Sequence, residues 1–193
     1  HTAIRRQRQM CIRDSFGEVA GWERANWFLP ADLVSEGNTP EYKYSWGRQN
    51  WFDFAAQEHL AVRQKAGFFD MSSFAKFRLE GKDAQAVLQR IMANDVDVEP
   101  GRVIYGQWLN NSGGIEADLT VTRLTETVFL IVTSAASATR DLAWLKKNIP
   151  EGAHCIATDI TASEAVFSIM GPTARDIMPV SYTHLRAHET SPD

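Results

Sequence analysis

Between Gly101 and Ser134 three stretches of strand character follow one another with only turns between them: GRVIYGQWLN, IEADLTVTRL and TVFLIVTS. NSGG at 111–114 supplies the hairpin turn between the first two, since its glycines accept the positive backbone angles that tight hairpins need. A chain that contains this run is committed to antiparallel pairing over a sixth of its length or more. Its other elements must pack around the resulting sheet.

Helical and strand patterns alternate around that run. NWFDFAAQEHLAVRQKA (50–66) places apolar residues at helical spacing and is expected to end at Gly67. AKFRLEG (75–81) alternates like a strand. KDAQAVLQRIM (82–92) gathers Ala84, Val87, Leu88, Ile91 and Met92 on one helical face. SATRDLAWLKKNI (137–149) reads as an amphipathic helix with lysines in its last turn, where they oppose the helix dipole. HCIATDI and AVFSIM read as strands, and GPTARDIM opens a further helix. Residues 16–50 interleave Trp22, Trp27, Phe28, Tyr42, Tyr44 and Trp46 with Gly, Pro and Asn, which suits a packed loop more than a regular element. The fold class is α+β: antiparallel sheets with helices.

The chain of 193 residues carries a net charge of −4, which argues against a nucleic-acid partner. Its apolar runs, such as VFLIV at 128–132, are of strand length and too short to span a bilayer. No apolar stretch of signal-peptide type follows the basic start. Cys11 and Cys155 form neither a disulfide framework nor a metal cluster, so a reducing, cytoplasmic setting is expected.

Both ends differ in character from the middle. RRQRQMCIRDS (5–15) is basic and lacks hydrophobic periodicity. VSYTHLRAHET (180–190) holds His184 and His188 four apart, which would set both on one helical face and suggests a metal-binding tail. The stronger reading is different: both stretches resemble translations of transposase-type sequencing adapters. Residues 1–15 and 179–193 are therefore expected to be adapter-derived and disordered. Residues 16–50 form an aromatic-rich extended segment, and 51–178 form a partial domain. Within that insert His59, His154 and Cys155 are too few and too scattered for a zinc site.

No phosphate-binding glycine loop, dinucleotide fingerprint or nucleophile elbow is present. His59, beside Glu58 in a helical pattern, reads as a surface or half-buried residue, and Cys155 as core. Asp118 is the most suggestive residue. In IEADLTV, alternation sets Ile115, Ala117, Leu119 and Val121 on one face and Glu116, Asp118, Thr120 and Thr122 on the other. That second face is either a solvated polar surface or a rigid platform aiming a carboxylate at a cavity, where it could hold a cation or move a proton. Pattern leaves both open.

FGEVAGWERANWF, EHLAVRQKAGFFDMSSFAKFRLEG, ANDVDVEPGRVIYGQWLNNSGGIEADLTVTRL, RDLAW and the late MGP-x-AR together resemble the folate-binding domain of the aminomethyltransferase family, founded by the T-protein of the glycine cleavage system. The resemblance covers essentially all of the insert. It implies the T-protein fold, of which this chain would hold the N-terminal half only. The stretch between Trp22 and Glu58 is longer and more aromatic than in T-proteins. Together with Phe68–Lys76 it resembles the C-terminal part of flavoenzymes that demethylate dimethylglycine or sarcosine, in which an FAD-bearing domain precedes the folate domain. The cofactors implied are tetrahydrofolate, and FAD in an upstream domain of the same polypeptide.

The resemblance also implies roles. In Gly113-Gly114-Ile115-Glu116-Ala117-Asp118-Leu119, Ala117 replaces the first acid of a family motif, and Asp118 keeps the second, which approaches the folate nitrogens that receive the one-carbon unit. Tyr105 matches a tyrosine that lines the folate pocket. Phe74 and Ser134 fall where the family has a pterin-contacting methionine and an asparagine. Further pterin-anchoring residues would follow Met178, so the chain by itself is expected neither to oxidise amines nor to bind folate tightly. Two other readings of the family are a free-standing aminomethyltransferase acting on a lipoyl carrier, and a non-catalytic folate-binding protein of iron–sulfur maintenance.

Overall fold

The computed structural model describes residues 14–178, and these divide into two units: residues 14–69 with 167–178, and residues 70–166. The expected adapter-derived ends lie outside the described residues except Asp14 and Ser15, and so do Cys11, His184 and His188. Among the described residues no helix is long and apolar enough to cross a membrane.

The first unit opens with a regular hairpin, β1 (Asp14–Val19) paired antiparallel with β2 (Trp22–Phe28). Ala20 and Gly21 turn it with φ of 52° and 83°, the pair of positive angles that a two-residue hairpin loop requires. The sequence reading of 16–50 as irregular is corrected here. β2 buries Trp27 and otherwise leaves nearly every side chain outside, so no inside–outside alternation marks it as a strand. Trp27 is 2% exposed, stacked on Phe54 at 5.6 Å and edge-on to Tyr42 at 6.3 Å. Helix α1 (Ala31–Ser35) and irregular backbone lead to α2 (Phe52–Gln64), which buries none of its residues fully. A short β3 (Gly67–Asp70), unexpected from the sequence, pairs with β9 (Phe167–Met170), where Phe68 meets Phe167 at 4.9 Å. A further helix opens at Ala174.

The second unit is a five-stranded antiparallel sheet covered on one face by two helices. Its elements in chain order are β4 (Ala75–Glu80), α3 (Ala84–Ile91), β5 (Val103–Leu109), β6 (Ile115–Arg123), β7 (Val128–Thr133), α4 (Ala138–Lys147) and β8 (Ile156–Asp159). In space the strands run β5-β6-β7-β4-β8. The run from Gly101 to Ser134 thus forms three adjacent strands, as the short connections demand. Alternation then decides the faces: Phe77, Leu79, Leu119, Val121, Phe129 and Ile131 are all under 4% exposed and pack against Val87, Leu88 and Leu145 of the two helices. Each such side chain contributes about 1.5–3 kcal/mol over leaving it in water. Gly81, just after β4, sits at φ of 136°, and a side chain there would meet the His154 carbonyl oxygen at 2.1 Å. Glycine alone fits.

The alternation that turns Val121 inward turns Arg123 inward too, and its residue exposure is 6%. The guanidinium meets its burial with donors: to Asp97 at 3.0 Å, the Val98 carbonyl at 2.8 Å, Gln85 at 2.9 Å and the Glu126 carboxylate at 2.9 Å. It also lies 5.6 Å from the Phe129 ring centroid. One arginine therefore ties the end of β6 to α3 and to the chain that precedes β5.

Candidate functional site

The β5–β6 hairpin fixes the site. Its turn is closed by Asn110, whose side-chain oxygen accepts from the amides of Ser112 at 3.0 Å and Gly114 at 2.9 Å. Asn110 Nδ2 donates to Glu116 at 2.8 Å. With the turn locked, the register follows: Gln107 stands opposite Asp118 and Tyr105 opposite Thr120. All four side chains belong to the sheet face that the helices leave uncovered.

On that face Asp118 is exposed and held at both oxygens. The Tyr105 hydroxyl donates to Oδ2 at 3.0 Å, and Gln107 Nε2 donates to Oδ1 at 3.2 Å. Gln107 also approaches the Tyr105 oxygen at 3.5 Å. A carboxylate offers about four acceptor positions, so these bonds orient the group and leave it able to accept from a molecule lying over the sheet. The face is open, and the carboxylate on it is oriented.

The hydrogen bond to Asp118 and the carboxylate's negative charge, with a smaller contribution from burial, raise the Tyr105 hydroxyl above its ordinary range, against a lowering by Gln107. A raised pKa means that the folded state favours the neutral phenol. This contribution is complete below the ordinary tyrosine value of about 10 and is lost as pH rises through the higher folded value. In a spectrophotometric alkaline titration Tyr105 is expected to ionise after an ordinary exposed tyrosine, and Asp118→Ala, which removes both the acceptor and the charge, is expected to bring it back toward the ordinary range. An unchanged Tyr105 titration in that variant would show that the bond is not made in solution.

Phe74 and Ser134 lie just outside the strands, next to the last rung between β4 and β7. The last rung between β4 and β7 pairs Ala75 with Thr133, and β6 and β7 pair Thr120 with Val132. Continuing both registers by one position past Thr133 brings Ser134 beside Phe74 on one side and toward Asp118 on the other. Gln107 and Asp118 form one rung, and the continued registers would carry that line on through Ser134 to Phe74. Adjacent strands lie about 4.8 Å apart, so Phe74 is roughly 10 Å from Asp118 across the sheet. Asp118 and Tyr105 are in direct contact; Ser134 and Phe74 share the line without belonging to that hydrogen-bonded pair. Ser134 is exposed and precedes a short 3-10 turn (Ala135–Ser137), and its carbonyl accepts from the hydroxyl of Ser137 at the end of that turn. Gln107 was missed from the sequence. A glutamine in an alternating strand has no motif, and only its register opposite Asp118 could have singled it out.

His59 lies on α2 with Nδ1 2.8 Å from the Ala55 carbonyl oxygen. Cys155 is half-buried, and burial, with the charge of Asp83 second, raises its thiol pKa. Neither belongs to the Asp118 face. Asp141, 1% exposed at the start of α4, accepts from Thr133 at 2.7 Å and Ser137 at 2.8 Å and so fixes the chain that leaves β7 beside the site.

Residues 8–189 match the model of the GCVT N-terminal domain, a span that reaches into both terminal stretches read as foreign. The chain is 43% identical over 163 residues to 4-methylaminobutanoate oxidase (formaldehyde-forming) of Paenarthrobacter nicotinovorans, covering 84% of this chain and 19% of that protein. It is 31% identical over 165 residues to mitochondrial dimethylglycine dehydrogenase of Mus musculus, covering 85% of this chain and 18% of the relative. The chain therefore spans less than a fifth of the length of either. Among solved structures it superposes on glycine cleavage system aminomethyltransferase T from Bartonella henselae with a TM-score of 0.69 and 26% identity, over 90% of this chain and 41% of that one.

Proposed function

Because the chain belongs to the family of the GCVT N-terminal domain, we propose that it is the tetrahydrofolate-binding part of an N-methyl-amine demethylating flavoenzyme. In this reading the one-carbon unit is passed to tetrahydrofolate to give 5,10-methylenetetrahydrofolate. The observation that carries the demethylating half of the proposal is the likeness, at 43% identity across 84% of the chain, to an oxidase whose name records formaldehyde as its product; the folate half rests on the family. The site chemistry agrees. A reduced pterin presents N–H donors and a flat ring, and the open face presents an oriented carboxylate with aromatic side chains near it.

The residues divide the work. Asp118 accepts the proton that the folate amine loses as its nitrogen bonds to the formaldehyde carbon and returns it to the new hydroxyl, which leaves as water; ionised again, its charge stabilises the cationic iminium until the second folate nitrogen closes on it. Tyr105 and Gln107 hold the carboxylate against rotation, so it is already aligned when charge develops. Phe74 and Ser134 lie along the path a pterin would take across the sheet. FAD in an upstream domain would supply the oxidation of the amine.

The chain itself can be tested by NMR, which maps even weak binding. On titration with millimolar tetrahydrofolate, amide shifts are expected at Phe74, Tyr105, Gln107, Asp118 and Ser134, and Asp118→Ala is expected to abolish them. Shifts that fall elsewhere, or none at all, would overturn the folate reading. A free-standing aminomethyltransferase is the second reading, favoured by the superposition on aminomethyltransferase T. The gene upstream of Phe16 separates the two. A dinucleotide-binding glycine fingerprint selects the flavoenzyme, and a start codon near Phe16 selects the transferase.

A further inference from the structure

Lys76 is 1% exposed, a rare position for an ammonium unless a bonding network holds it. Among the described residues it forms no ion pair. Its Nζ donates instead to two backbone carbonyls, those of Ser72 at 2.8 Å and Phe74 at 3.0 Å. Alternation along β4 places Phe77 and Leu79 in the core, so Lys76 belongs to the face that carries Asp118. Through β7 it shares a rung with that region: Lys76 pairs with Val132, Val132 with Thr120, and Thr120 with Tyr105.

The segment it grips is held from several sides. The Phe74 amide donates to the Met71 carbonyl at 3.0 Å, and the Ser72 amide to Asp70 Oδ1 at 2.9 Å. Met71 and Val166 close the other side, with the Met71 amide on the Val166 carbonyl at 2.8 Å and the Val166 amide on Ser72 Oγ at 3.1 Å. Packing alone would be served by a methionine of similar length. A cation is needed where two carbonyls must be drawn together and kept there. Burial lowers the Lys76 pKa, opposed by the charges of Glu164, Asp159 and Asp70, so holding this group charged in the fold is a cost that its two carbonyl bonds offset.

We propose that Lys76 is a positioning residue of the folate face: by holding the Ser72 and Phe74 carbonyls it sets Phe74 at the end of the line through Ser134, Asp118 and Gln107. The proposal rests on the folate reading of that face and adds a residue that touches neither the carboxylate nor the ligand.

The test uses the isotope-labelled chain with Lys76→Met, and Lys76→Gln, which retains one donor group, as a second variant if the first folds poorly. Amide exchange is expected to quicken about tenfold or more at Phe74 and Val166 while Phe77 and Leu79 stay protected. With tetrahydrofolate, the shift at Phe74 is expected to vanish while those at Asp118 and Gln107 persist, a split that general loss of structure would not produce. Exchange at Phe74 within about twofold of the parent chain, or a retained folate shift there, overturns the proposal. If the parent chain shows no folate shift anywhere on the face, the folate reading falls, and the positioning role falls with it even if exchange confirms the clamp.

Discussion

Replacing Asp118 by asparagine is expected to lower formation of 5,10-methylenetetrahydrofolate by about 100-fold or more, the ordinary worth of a positioned proton acceptor. On the proposed function, the measurement belongs in the longest polypeptide that carries this segment, supplied with a methylated amine. Amine oxidation is expected to continue at its normal rate, so that the missing product appears as free formaldehyde. Stability is expected to change by no more than about 0.5 kcal/mol, because Asp118 is exposed and its partners are Tyr105 and Gln107 on an open face. Asparagine keeps the shape of the side chain and an oxygen to accept from Tyr105, but it loses the charge that takes a proton. If the ratio of folate product to formaldehyde stays within about twofold of the parent enzyme, the carboxylate is a feature of the surface only.

The second large effect concerns the fold. Arg123→Met is expected to destabilise the chain by about 3 kcal/mol, the order of cost of leaving partly buried acceptors without their donor. The melting temperature is then expected to fall by roughly 10 °C, read by differential scanning calorimetry. The reason lies in the partners. Asp97 and Glu126 have side chains 66% and 75% exposed and can return to water, so the ion pairs themselves are worth little. The loss comes from the Val98 carbonyl and Gln85, which lose the donors that the guanidinium supplied. Arg123→Lys is expected to recover less than half of the loss, because an ammonium is a point charge and cannot serve the same spread of acceptors. A methionine variant within about 1 kcal/mol of the parent would mean that those partners rehydrate freely.

Asp118 could be found from the sequence because a nine-residue strand buried on one face writes its orientation directly into alternating residue types. Tyr105 came from family resemblance, and the hairpin register then placed it against the carboxylate. Gln107 could not be found in the same way: its part in the site depends on which residue faces it across the ladder, and a shift of one position would have turned it to the other face. The hairpin at 14–28 escaped for the opposite reason. Its second strand is exposed on both faces over most of its length, so the period-two signal is absent although the pairing is regular.

Lys76 and Arg123 show where local reading ends. Both are charged residues in alternating strands. Arg123 follows the buried phase of its strand, so its inward direction could be read, but the acceptors that make such burial tolerable come from Gln85, Asp97 and Val98, far away in sequence. Lys76 follows the outward phase and is buried all the same, because the turn at 72–74 and the segment around Thr161 close around it. By itself the sequence determined the strand run, the hairpin turn, the face of Asp118 and the family. The tertiary structure alone decided which polar groups meet, because hydrophobic periodicity records burial along one element, whereas a hydrogen-bond partner is chosen by register and closure between elements distant in the chain.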